Sequence, residues 1–336
     1  MLSRKIARGG SATLACLLLA ASHASAGDLA NVIGGNSSNN QLLALIFDEA
    51  GASSASVINT DTSDRVSLRS FGFFEDLCRS RLDLVVADTL AGELLLYPNP
   101  SPARAQAGEL LCGSATGACP ARPDGISFSD KRLMAVADTG SGGSTPGIWL
   151  FPPEFPAEAA SCVDADGYGP FRPPVSTGQV LACDGPADDP GTTCVAVGAV
   201  VDTLFVDVPG GGLGARDLLL LTDTPKTISV IRAEDIDALL EAPSPASTGA
   251  EIIADETDFA AAGPEFAAVF SRGLALASIQ NSADVGGAVD DRSATEEFVL
   301  PGTGGELIRF RFVNSPSGAC ATPPCIEVDP SIGQPR

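Results

Sequence analysis

Three observations predict an all-β fold. Turn-forming residues are abundant (36 Gly and 25 Pro), sustained helical periodicity is nearly absent, and a short apolar run ending in an Asp-Thr turn before a second apolar run recurs along the chain. A small sheet that cannot bury both faces by itself is stabilised by packing against its neighbours. Repeated hairpins therefore predict radial repetition, a β-propeller of about six blades, with five or seven as alternatives. The expected organisation is a signal peptide over 1–26, a propeller domain over 27–313 with a Cys- and Asp-rich insertion at about 155–194, and a Pro- and Cys-containing tail over 314–336.

The N-terminus combines a basic start (Arg4, Lys5, Arg8), an apolar stretch from Ala12 to Ala21 and the small residues Ala24, Ser25 and Ala26, the three regions of a secretory signal peptide. The apolar stretch is too short to span a bilayer and no later stretch is longer, so the expectation is an exported chain, periplasmic or extracellular, without membrane insertion. Removing residues 1–26 leaves 17 of the 20 basic residues against 42 acidic ones, a net charge of −25. Such a field disfavours nucleic acid and anionic lipid, both of which need clustered Lys and Arg, and leaves cations, a protein or a small molecule as expected partners.

Nine cysteines include Cys16 in the signal segment, so eight remain, an even number that reads as a disulfide set in an oxidising compartment. Short separations predict Cys112 with Cys119, Cys183 with Cys194 and Cys320 with Cys325, which leaves Cys78 to pair with Cys162 over a long range. The absence of CxxC and CxxCH argues against thiolate zinc and covalent haem. The single histidine, His23, lies in the signal segment, which removes Ser-His-Asp and Cys-His catalysis and His-ligated metals from the mature chain.

The clearest hairpins are Leu82 to Tyr97, Leu133 to Phe151 and Asp217 to Ile231, with fainter ones at Leu42 to Asn59 and Phe298 to Phe312 and a sixth expected between Pro264 and Gln280. In the first three, an Asp side chain can hold turn N–H groups while Gly or Pro bends the chain. One helix is predicted, Ala233 to Glu241, where Ile236, Leu239 and Leu240 share a face and Pro243 ends the run.

The segments VADTLAGELLLY and PDGISFSDKRLMAVADTG resemble blades of NHL-type propellers and of the related gluconolactonase-like, or senescence-marker, family. Pro123, Gly125 and Ile126 precede Ala137, Asp138 and Thr139 in the order of those blades. The resemblance implies a propeller fold and, by analogy, a lactonase-type hydrolase with a channel-bound cation. The family's metal-binding segment has no match here, Gly263-Pro264-Glu265-Phe266 being a scrambled echo, so the implied metal site is assigned to no residue.

Independently, Cys162-Val163-Asp164-Ala165-Asp166-Gly167-Tyr168-Gly169 alternates carboxylates before a glycine bend, as calcium loops do, with Asp184, Asp188 and Asp189 following in the same insertion. Calcium is the one cofactor these residues suggest, with a plain Asp/Gly turn as the alternative, since Tyr168 stands where a third alternating acid would and Val175 where a bidentate Glu would. Asp88, Asp138 and Asp223 end strands at Thr turns and read as structural, whereas Asp124 is the better candidate for a channel-facing acid. The expected function is an exported binding or interaction scaffold with no catalytic set. The alternative is a calcium-dependent lactonase or esterase.

Overall fold

The computed structural model describes residues 31–33, 43–47, 53–57, 65–66, 70–76, 81–88, 92–97, 109–113, 119–129, 133–140, 144–153, 171–206, 217–242, 245–273, 276–279, 297–301, 306–313 and 325–333. It is mostly sheet. A first antiparallel meander holds β1 (Asn31–Ile33), β2 (Leu43–Phe47), β3 (Ser53–Val57) and β4 (Arg65–Val66), and a second holds β5 (Ser70–Asp76), β6 (Arg81–Asp88), β7 (Glu93–Tyr97) and β8 (Glu109–Gly113).

Next come β9 (Pro123–Phe128), β10 (Met134–Asp138), β11 (Gly147–Phe151), β12 (Val175–Cys183), β13 (Cys194–Ala196), β14 (Ala199–Val206), β15 (Asp217–Asp223) and β16 (Thr227–Ile231). Helix α1 (Ala233–Glu241) leads to β17 (Ser247–Asp255), and two short helices follow, α2 (Glu256–Ala262) and α3 (Pro264–Arg272). A last meander holds β18 (Ala277–Ile279), β19 (Glu297–Pro301), β20 (Leu307–Val313) and β21 (Cys325–Gly333).

The central sheet has nine strands. Its main path runs β14-β15-β16-β17-β12-β11-β10-β9, with β13 attached to β12. Within it β9 to β12 and β14 to β17 are each antiparallel, and the two halves join where β12 runs parallel to β17. The path curls until its end strands β9 and β14 pack side by side without a hydrogen-bonded ladder, so the sheet is barrel-like and nearly closed.

Strands covered on both faces have continuous apolar sequences, because neither face meets water. In β15, Leu218 and Leu220 point into the barrel interior with Ala135, Ile148, Val180 and Ile231, while Leu219 and Leu221 pack outward with Phe259, Phe270 and Phe310. A third cluster joins β6 and β7 (Val85, Leu94, Leu96) to β9 and β10 (Ile126, Met134, Val136).

All five hairpins read from the sequence outside 264–280 are antiparallel pairs: β2 with β3, β6 with β7, β10 with β11, β15 with β16 and β19 with β20. Helix α1 spans the predicted residues. The segment from Pro264 to Gln280 differs. It opens with α3, where Pro264 fits the first helical turn and Phe266, Val269 and Phe270 bury one face, a helical spacing rather than a strand alternation.

The stretch 155–194, expected as a disulfide-held loop, contains β12, whose Thr177, Val180 and Ala182 are buried in the sheet. Prolines and aspartates on either side masked that strand in the sequence. Six separate blades are not what the described residues display, because the β12–β17 pairing fuses two four-stranded units into one sheet. Among the described residues no helix is long and apolar enough to cross a membrane. The disulfides Cys112–Cys119 and Cys183–Cys194 are formed. Cys325 is disulfide-bonded as well, whereas Cys78, Cys162 and Cys320 lie outside the described residues.

Candidate functional site

The least ordinary chemistry in the described residues lies where β9 meets β14. Asp202 stands in the apolar run AVVDTLFV of β14, beside a register shift in its pairing with β15, and is buried. Its Oδ1 accepts the N–H of Thr203 at 2.8 Å and its Oδ2 accepts the N–H of Leu276 at 2.7 Å, a bond that reaches 74 residues along the chain to the start of the last sheet.

The facing strand supplies Asp124, also buried, and Gly125. A Cβ on Gly125 would lie 1.9 Å from Asp202 Oδ1 and 2.5 Å from its Cα, so only glycine permits this approach. A Ser127 to Thr203 hydroxyl contact of 3.0 Å closes the joint farther along. Burial pushes the Asp202 carboxyl from its usual 3.8 to about 8; the two N–H donors oppose that rise and the nearby Asp124 adds to it. Asp202 thus keeps its proton at neutral pH.

The sequence-predicted acids fall into different roles. Asp124 joins Asp202 at this inner joint. Asp138 ends β10 and is saturated: Oδ1 accepts the N–H groups of Arg122 and Gly140, both at 3.0 Å, and Oδ2 accepts the Ala121 N–H at 2.8 Å and the Trp149 indole N–H at 3.3 Å. That is the structural duty expected of it. Asp223 is exposed at the end of β15, and Asp88 ends β6 opposite Glu93.

Of the calcium candidates, Asp164 and Asp166 lie outside the described residues. Asp184 Oδ1 accepts the Thr193 N–H at 2.6 Å and Asp189 Oδ1 accepts the Gly191 N–H at 3.2 Å, so both brace their own loop. Asp188 lies toward α1, where the Asp235 carboxyl is raised by burial first, then by Glu234 and Asp188. Among the described residues no three His, Cys, Asp or Glu side chains come together to hold a metal.

Besides Asp202, two groups escaped the sequence reading. Asp217, buried at the start of β15, accepts the Ala233 N–H at 2.9 Å and pairs with Arg232, which also reaches Glu251 at 3.0 Å, so one cluster ties α1 to β15 and β17. Lys226 donates from Nζ to the carbonyl of Gly273 at the end of α3; burial holds its pKa below the usual value, opposed by Asp223 and Glu256. The available signal for Asp202 and Asp217 was a lone charge at or inside an apolar strand, a pattern that demands buried partners.

Neither a scan against protein-family models nor a search of curated proteins returns a match to this chain.

Proposed function

We propose that the chain is an exported, disulfide-braced β-scaffold that acts by binding a protein or small-molecule partner and is arranged as a propeller of five four-stranded units. One observation carries this reading. The buried carboxyl groups of Asp138, Asp202 and Asp217 each hold main-chain N–H groups across joints of the fold, which is the work of a framework rather than of an acid, base or nucleophile. No histidine is present in residues 27–336 to complement them.

The radial arrangement is supported by antiparallel meanders at β1–β4, β5–β8, β9–β12, β14–β17 and β18–β21, and by the packing of β9 beside both β5 and β14, the opening strands of neighbouring units. Export is supported by the signal-like N-terminus and by the two formed disulfides.

The test has two arms on purified protein. The scaffold reading expects no hydrolysis of lactones or aryl esters with or without calcium, and a discrete, saturable adduct when a photo-crosslinker placed at exposed Leu110 or Val195 is irradiated in the native exported fraction. Calcium-dependent hydrolysis that disappears in Asp124→Asn would replace this reading with the lactonase-type one.

A further inference from the structure

Cys183 and Cys194 stand opposite each other in the antiparallel pairing of β12 with β13, and their disulfide closes the loop 184–193. The two ends of this bond differ: Cys183 is fully buried and Cys194 is exposed. In the Cys112–Cys119 bridge, by contrast, Cys112 is buried and Cys119 half-buried, so neither residue is openly presented to solvent.

Bonds internal to the loop shape it into a compact cap. The Thr192 hydroxyl donates to the Pro186 carbonyl at 2.7 Å, beside the Thr193 to Asp184 and Gly191 to Asp189 bonds. The cap rests on β17, where a Cβ at Gly249 would come 2.4 Å from Ala187 Cβ and 3.2 Å from Cys183 Sγ. Gly249 is registered against Leu181 in the parallel pairing of Gln179–Cys183 with Ser247–Glu251. Among the described residues that pairing is the only strand ladder joining β9–β12 to β14–β17, so the cap sits over the seam of the central sheet.

We propose that the Cys183–Cys194 disulfide is a thiol-exchange site that controls how firmly the two halves of the central sheet are joined. A dithiol from outside opens the clip at Cys194, the cap lifts from Gly249, and the seam loosens. A thiolate of the dithiol attacks Cys194 Sγ, the sulfur–sulfur bond breaks, and Cys183 leaves with the electron pair and takes up a proton in its buried site. The second thiol of the reagent then attacks the mixed disulfide, Cys194 is released as a thiol, and the reagent departs as its own disulfide. Two electrons and two protons have passed to the clip. Cys183 remains on β12 opposite Cys194, so oxidation recloses it.

The test uses the full oxidised chain under graded dithiothreitol, with alkylation and peptide mapping to order the bridges and amide exchange to follow the seam. The expected result is that Cys183 and Cys194 are labelled at reductant about tenfold below that needed for Cys112 and Cys119. Exchange protection over 179–183 and 247–251 falls about tenfold at that point, while the β15–β16 hairpin keeps its protection. Earlier or simultaneous opening of Cys112–Cys119, unchanged seam protection, or loss of all structure in one step overturns the proposal. Gly249→Ala supplies a second arm, because its Cβ displaces Ala187 and crowds Cys183 Sγ from the β17 side while leaving both cysteines in the chain. It is expected to speed opening at Cys194 and to loosen the seam under oxidising conditions, and an unchanged rate together with unchanged protection also overturns the proposal.

Discussion

Replacing Asp202 with Asn should make the difference in stability between variant and parent depend on pH, with a crossover. The folded carboxyl holds its proton up to about pH 8, whereas in the unfolded chain it releases it near 3.8. A carboxyl whose folded pKa is raised contributes stability that is fully present below the unfolded value and is lost as pH rises toward the folded one. Between pH 3.8 and 7 roughly three pH units are traversed at ~1.4 kcal/mol each, so the parent loses about 4 kcal/mol from this group alone. Set against a total stability of about 5–15 kcal/mol, that is a large share.

Asn carries no titrating proton, so the variant escapes this loss. Its amide nitrogen, however, faces one of the two N–H donors of Thr203 and Leu276, leaving that donor unpaired at a cost of about 1–3 kcal/mol at every pH. The variant should therefore be the less stable protein at pH 4 and the equal or more stable one at pH 7. Urea unfolding followed by the fluorescence of Trp149, the single tryptophan, measures both proteins across that range, and taking the difference removes the titration of every other carboxylate. A difference that does not change with pH, or one that shifts against the variant as pH rises, would refute the assignment of a buried, protonated Asp202.

Three further outcomes are expected. Gly125→Ala places a methyl against the Asp202 carboxyl and Cα, and the overpacked joint should cost about 1–3 kcal/mol in urea unfolding. Asp138→Ala strips the shared acceptor from Ala121, Arg122, Gly140 and the Trp149 indole; it should cost about 3 kcal/mol or more and shift the Trp149 emission, with Asp138→Asn recovering part of the loss. Phe270→Ala breaks the stack with Phe259, whose ring centroid lies 4.2 Å away, and should cost about 3–5 kcal/mol, whereas Leu110→Ala at an exposed position should stay within about 0.5 kcal/mol of the parent.

The hairpins were legible because their determinants are neighbours in the chain. In MAVADTGSGGSTPGIWLF the buried strand, the Asp that holds the turn and the return strand lie close together in sequence, and the β10–β11 pairing needs nothing from elsewhere. The same locality exposed helix α1 and the short-range disulfides Cys112–Cys119 and Cys183–Cys194. Strand β12 was hidden because its alternation is brief and lies between proline- and aspartate-rich flanks. Helix α3 was hidden because PEFAAVFSR supplies little more than two helical turns, and Phe and Val serve strands equally well.

The sequence by itself determined the five hairpins, helix α1, the disulfides Cys112–Cys119 and Cys183–Cys194, and the absence of imidazole chemistry from residues 27–336. Each of these depends on residue type or on partners only a few positions apart. Only the tertiary structure decided which sheets merge, because the parallel seam between β12 and β17 joins strands separated by β13 to β16 and α1, and parallel pairing has no local turn to announce it. Tertiary structure likewise decided that Asp202 is the perturbed acid. Its partners are Leu276, 74 residues away, and the Asp124–Gly125 pair on another strand, and a buried carboxyl acquires its chemistry from the groups that replace water around it.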